Sequence, residues 1–157
     1  MIWTINEKTE EKLLRKKTAP FDFSKYAKKD IRELVHTMRR EMRKANGIGL
    51  SANQIGLDIS VFVAQPEQKF YAVFNPEIIK SGKERISLEE GCLSVPEVFG
   101  DVERPDQVVL AGQDQNGKRM KIKAWGILAR VFQHEADHLN GIVFIDKAEG
   151  IHKYESS

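Results

Sequence analysis

A chain of 157 residues with 41% hydrophobic and 31% charged residues is long enough to bury a core, and one globular domain over residues 1–157 is expected. With 25 Lys and Arg against 23 Asp and Glu, the net charge of +2 gives no electrostatic basis for a nucleic-acid or membrane partner. The single cysteine excludes an internal disulfide, the N-terminus has neither an apolar signal core nor an Arg/Ser-rich transit pattern, and no apolar run approaches a membrane span, so the cytoplasm is the expected location.

In chain order, residues 9–17 are charged, with Leu13 and Leu14 as anchors, and predict one or two helical turns ended by Pro20. Residues 24–46 predict an amphipathic helix, with Ser24 as N-cap and Ile31, Leu34, Val35, Met38 and Met42 at helical spacing. Gly47 is expected in the left-handed conformation beyond its end. The basic runs at 15–17 and 39–44 read as solvated helix faces.

The next segment, GIGLSANQ from Gly47 to Gln54, imitates a dinucleotide-binding G-x-G-x-x-A turn, but that turn needs a strand before it and a helix after it. Here a helix precedes and a strand follows. The expectation is a loop whose glycines admit another chain close to the backbone and whose Gln54 amide points inward. Strands are predicted at 59–64, 70–75, 84–88, 107–111 and 120–124, with turn chemistry at Gln65-Pro66, Asn75-Pro76, Ser81-Gly82 and Asn116-Gly117. That spacing predicts antiparallel sheet. A helix starting near residues 125–127 carries apolar residues over much of its circumference and is expected to be buried nearly all round. Gly141 ends it, and a last strand is predicted at 142–145 before a polar tail.

The chemistry concentrates on that helix. In the stretch HEADH, His134 and His138 lie four apart and project from one helical face, so two imidazoles can meet one metal ion with Glu135 beside the open position. A catalytic site of this kind takes a third protein ligand and leaves the fourth position to water. Cys92, in EEGCLSVP, is the candidate; its alternative is a small buried hydrophobe. A divalent ion there would lower the pKa of water, Glu135 could accept its proton, and Gln54 and the Leu93 backbone N–H are candidate donors to an oxyanion. The alternative for Gln54 is a surface amide. The ligand set suits zinc, iron, nickel or cobalt.

Three stretches, GIGLSANQ, EGCLS and HEADH, resemble in order and interval the motifs of peptide deformylases, and the resemblance covers residues 24–144. It implies an α+β fold with antiparallel sheets around the helix bearing HEADH. It implies one metal per chain, Fe(II) in the cell with Zn or Ni after purification, and removal of the formyl group from formyl-methionyl peptides and nascent chains. On that likeness Cys92, His134 and His138 are the ligands, Glu135 is the acid/base, and Gln54 with the Leu93 N–H holds the formyl oxygen. Ile48, Leu88, Ile127 and Val131 would surround the methionine side chain, and Gly49, Glu90 and Gly91 would line the peptide backbone of the substrate. Asp137 would be a second carboxylate near the metal, needing a cationic partner, for which Arg104 is the candidate. Ser51 and Asn53 depart from the commoner residues of the first motif, changes expected to be tolerated. Only residues 139–157 follow His138, so a ribosome attachment through a long C-terminal helix is not expected, and a monomer is.

Two other classes compete. A zinc endopeptidase of the extended H-E-x-x-H-x-x-G-x-x-H type needs a histidine where Phe144 stands, and Glu149 or Glu155 as third ligand would sit in a short tail. A non-catalytic domain with a structural metal would close the fourth position with another protein ligand, which an intact Glu135 and Gln54 oppose.

Overall fold

The computed structural model of the protein describes residues 1–153; the tail from Tyr154 to Ser157, Glu155 included, lies outside the described residues. Among the described residues there are three α-helices, α1 (Lys8–Leu14), α2 (Lys28–Lys44) and α3 (Gly126–Leu139). Among the same described residues eight strands form two antiparallel sheets. The first runs in the order β1 (Gly49–Ser51), β2 (Val61–Ala64), β3 (Tyr71–Ser81), β6 (Gln107–Gln113), β7 (Arg119–Trp125), and the second in the order β4 (Arg85–Cys92), β5 (Val95–Pro105), β8 (Glu149–Lys153). None of the helices is long and apolar enough to cross a membrane.

Strand alternation explains how the first sheet is used. Val61 and Val63 of β2 join Ile31, Val35, Met38 and Met42 of α2 in one buried cluster, whereas Phe62 and Ala64 join Ala129, Val131, Phe132 and Leu139 of α3 in another. Odd residues therefore meet α2 and even residues meet α3, the period-2 geometry of a strand. The second sheet meets the other side of α3 through the ion pairs of Glu90 with Arg130 and His134, and Val95 and Val102 of its β5 form a small cluster with Val143 and Phe144 beyond the end of the helix. Trapped between two sheets, α3 has no exposed residue from Ala129 to Leu139, as its all-round apolar pattern predicts.

Several local expectations are corrected. Ser24 sits in a short 3-10 turn instead of capping α2, and its N–H is held by Asp22 at 3.0 Å. The helix starts at Lys28, where the Asp30 carboxylate accepts the Ala27 N–H. Its end is turned by Asn46 in the left-handed region, φ 57°, and not by Gly47; a short polar side chain tolerates that conformation. Asn75-Pro76 makes a bulge inside β3 rather than a turn, with Asn75 at φ 51° and its amide bonded to both the N–H and C=O of Phe21. The stretch at 142–145 is a 3-10 turn (Phe144–Asp146), not a strand. The Asn116-Gly117 hairpin forms as expected, organised by Asp114, whose carboxylate accepts from the N–H groups of Asn116 and Lys118.

Gly141 ends α3 at φ 77°, and a Cβ there would lie 2.4 Å from the Arg15 carbonyl oxygen. Gly141→Ala is therefore expected to lose more than about 1 kcal/mol of stability, from backbone strain plus that clash. Urea unfolding checks this, and an unchanged midpoint would contradict it.

Candidate metal centre and active site

The helical period sets the site. His134 and His138 stand one turn apart on α3, facing the end of β4, where Cys92 turns into β5. Cys92 Sγ lies 3.0 Å from His138 Nε2, and the two histidine Nε2 atoms are 3.2 Å apart. All three donor atoms fall within 4.8 Å of one another. Metal bonds of about 2.0–2.3 Å separate tetrahedral donors by roughly 3.3–3.8 Å, so this thiolate and imidazole set fits one divalent ion. Burial opposes ionisation of Cys92, but the charge of His138 and hydrogen bonds with both histidines hold its thiol well below the ordinary range. His134 is held well above its usual value: burial opposes its charge, and hydrogen bonds with Cys92 and Glu90 overcome that opposition.

A buried carboxylate aims the first histidine. Glu90 accepts from His134 Nδ1 at 2.8 Å, which fixes the ring with Nε2 toward the cluster. Glu90 is held in turn by Arg104, through Nε at 2.7 Å and Nη2 at 3.0 Å, with Arg130 as a further donor. Burial alone would raise its pKa; the hydrogen bonds of His134 and Arg104 reverse this and hold it at about 2. Arg104 continues to Asp137 at 2.8 Å, and Lys147 approaches Asp137 from the other side at 3.0 Å. The cationic partner expected for Asp137 is therefore present, but Arg104 is shared with Glu90, which the sequence reading placed along the substrate backbone.

Beside the cluster opens a cleft of about 540 Å³ whose lining includes Ile48, Gly49, Gln54, Glu90, Gly91, Cys92, Leu93, Ile127, Val131, His134 and Glu135. Leu88 is outside that lining and about half exposed, two residues farther from the cluster on the face of β4 that carries Glu90. Gln54 is buried, not a surface amide. Its Oε1 accepts the Ser51 N–H at 3.0 Å, and its Nε2 donates to Ser94 Oγ at 3.0 Å and points toward Cys92 Sγ at 3.5 Å. Leu93 occupies the tight turn joining β4 to β5. Glu135 is buried with Oε1 unpartnered among the described residues, and burial raises its pKa despite the two neighbouring histidines. Gly49 makes room for it, because a Cβ at residue 49 would lie 2.6 Å from Glu135 Oε2. Gly91 makes room for Phe99, because a Cβ there would lie 2.6 Å from the Phe99 ring.

Sequence reasoning missed Ser94, Asn53 and Arg130. Ser94 and Asn53 are buried links, the latter donating to the His138 carbonyl at 2.7 Å, and a serine or asparagine in a loop gives no sign of this. Arg130 was hidden because it occupies a turn of α3 otherwise read as apolar. Phe144, at the position where an extended zinc-peptidase motif needs a histidine, packs against the His134 ring with centroids 6.3 Å apart. Glu149 lies on β8 opposite Asp101, outside the donor cluster.

An α+β fold whose central helix brings a carboxylate and two histidines to a cysteine, beside an open cleft, defines a hydrolase with a donor set able to hold a single metal ion. The sequence matches the family model of polypeptide deformylase over residues 4–154, and the chain belongs to the peptide deformylase family. A peptide deformylase of Treponema pallidum (strain Nichols) is 46% identical over 119 residues, 76% of this chain and 74% of that protein. The crystal structure of the peptide deformylase from Thermotoga maritima matches with a TM-score of 0.85 at 33% identity, covering 95% of this chain and 97% of that one. A probable peptide deformylase from Synechococcus phage S-SSM7 matches at 0.82 and 38%, covering 94% and 98%. Enzymes of this family, and this chain with them, remove the N-formyl group from nascent polypeptides.

Glu90→Gln leaves two buried guanidinium groups short of a counter-charge, and a loss of about 3–5 kcal/mol is expected at neutral pH. Because the folded state lowers the Glu90 pKa, its contribution is complete above the ordinary value of 4.5 and is lost as pH falls to about 2. The stability gap between wild type and variant should therefore narrow across that window. A gap independent of pH in urea titrations of metal-free protein would refute the assignment.

Proposed function

We propose that residues 1–157 act as one catalytic domain in which Cys92, His134 and His138 hold a single divalent ion, Fe(II) in the cell, with Zn, Ni or Co able to take the same donors in purified protein. The observation that supports this most is the convergence of the three donor atoms within 4.8 Å beside a cleft that also contains the buried Glu135. When bound, the ion supplies Lewis acidity and lowers the pKa of water toward neutrality. Glu135 accepts the proton of the attacking water and returns it to the departing amine. Gln54 Nε2 and the Leu93 N–H donate to the formyl oxygen as negative charge builds on it, and the Ser51 N–H on Gln54 Oε1 supports that role for the amide.

Substrate enters as an extended chain. β1 is an edge strand of the first sheet and β4 an edge strand of the second, and Gly49 and Gly91 on those strands both line the cleft. A peptide lying between them would add a strand, with its methionine side chain against Ile48, Ile127 and Val131. The enzyme is a cytoplasmic monomer acting on formyl-methionyl nascent chains.

The test is formate release from formyl-Met-Ala-Ser by anaerobically purified protein. Glu135→Ala is expected to cut kcat by about 10²–10⁴ with metal retained, and Gln54→Ala by about 10²–10³. Retained turnover in Glu135→Ala would remove Glu135 from the mechanism. A loss explained wholly by missing metal would make it a structural group.

A further inference from the structure

The two oxyanion donors proposed above belong to different sheets. Gln54 lies in the 3-10 turn that follows β1, and Leu93 lies in the β4–β5 turn. An oxyanion hole works only if the separation of its donors is fixed, and the N-terminal segment supplies a connection between them. The Trp3 N–H donates to the Gln54 carbonyl at 2.7 Å, and the Ile5 N–H donates to the Ser94 carbonyl at 3.0 Å. Between them the Thr4 N–H donates the other way, to Glu10 Oε2 at 2.7 Å near the start of α1. With the Thr4 N–H turned away to Glu10, the N–H groups of residues 3 and 5 are taken up by the two turns, and one short segment links the two carbonyls.

The side chains seat the segment at both ends. Ile2 packs against the cluster shared by α2 and the first sheet, and Ile5 against the cluster under the second sheet. The Trp3 ring covers Gly56, where φ is 84° and a Cβ would lie 2.5 Å from the ring; that glycine closes the turn carrying Gln54.

We infer that residues 3–5 are a positioning strap, which holds the Gln54 turn and the Leu93–Ser94 turn in register so that their two donors meet one formyl oxygen. This rests on the roles proposed for Gln54 and Leu93. The strap touches no reacting atom and acts through those two turns.

Proline at residue 3 or 5 removes the relevant N–H. Trp3→Pro and Ile5→Pro are each expected to lower kcat per bound metal by about 10–100-fold, a part of what losing a donor outright costs, with KM changed less than about threefold. In a Gln54→Ala background Trp3→Pro should have little further effect, since a positioning group is silent once the group it positions is gone. Trp3→Ala keeps the N–H but unseats the ring and should give a smaller loss of the same kind, which keeps the test open if the proline variants do not fold. Lower thermal stability with unchanged kcat per metal would overturn the strap, as would a full loss persisting in the Gln54→Ala background. If Gln54→Ala itself keeps full kcat, the oxyanion assignment and the strap fall together; if Gln54→Ala is slow while the residue 3 and 5 variants are not, only the strap falls.

Discussion

The buried carboxylate of Glu90 is the constraint on which the site depends. It draws Arg104 from β5 and Arg130 and His134 from α3 onto one residue of β4, so the second sheet and the central helix meet through charge. The first sheet meets the same helix through hydrocarbon. The split follows from helical spacing: 130, 134 and 137 share one face of α3, and 129, 132, 136 and 139 another. A buried ion cluster contributes little net stability, because desolvation offsets most of the attraction. What it contributes is direction. With Arg130 also donating to the carbonyls of Val102 and Ile86, the guanidinium can satisfy its donors in one arrangement of β4, β5 and α3, and that arrangement points His134 Nε2 at Cys92.

The cleft follows from the same division. Two sheets that both pack on α3 but do not pair with each other leave two strand edges, β1 and β4, facing the helix between them. Unpaired edges are ordinarily liabilities. Here they are short of each other by the space of the cleft, so the proposed extended substrate would complete the hydrogen bonding that the fold leaves open. Gly49 shows how tightly this is drawn: it is both the start of an edge strand and the surface against which Glu135 lies.

Much of this could be read from the chain because the chemistry is local in sequence. The histidine pair with its glutamate is set by one helical turn, and the hydrophobic periods of α2 and α3 and the Asn116-Gly117 hairpin are short-range signals that the fold keeps. What escaped was long-range. β5 went unseen because Pro96, Gly100 and the inward-facing Arg104 break the apolar alternation that marks a strand; Arg104 faces the core only because Glu90 and Asp137 wait there, which no local window shows. The ion partners of Glu90, which lines the cleft as expected of a residue near the substrate, went unseen for the same reason, since they are 14 to 44 residues away. β1 was read as loop because its three residues owe their conformation to pairing with β2.

The polar departures in the first motif have a physical reading of the same kind. Ser51 Oγ lies 2.7 Å from Asn53 Oδ1 and 3.0 Å from Gln54 Oε1, but a hydroxyl has one proton and cannot satisfy both acceptors at once. Gln54 does not need it, because the Ser51 backbone N–H already bonds the same Oε1, and a backbone donor survives any side chain at residue 51 except proline. Alanine there would leave the Gln54 amide oriented as it is. Asn53 is different: its Nδ2 supplies a second donor to the His138 carbonyl near the end of α3, which also accepts from the Gly141 N–H at 3.0 Å. The Oε1 end of Gln54 is therefore set by the main chain and its Nε2 end by Ser94 Oγ, while Asn53 ties that turn to the helix that carries the two histidines of the donor cluster.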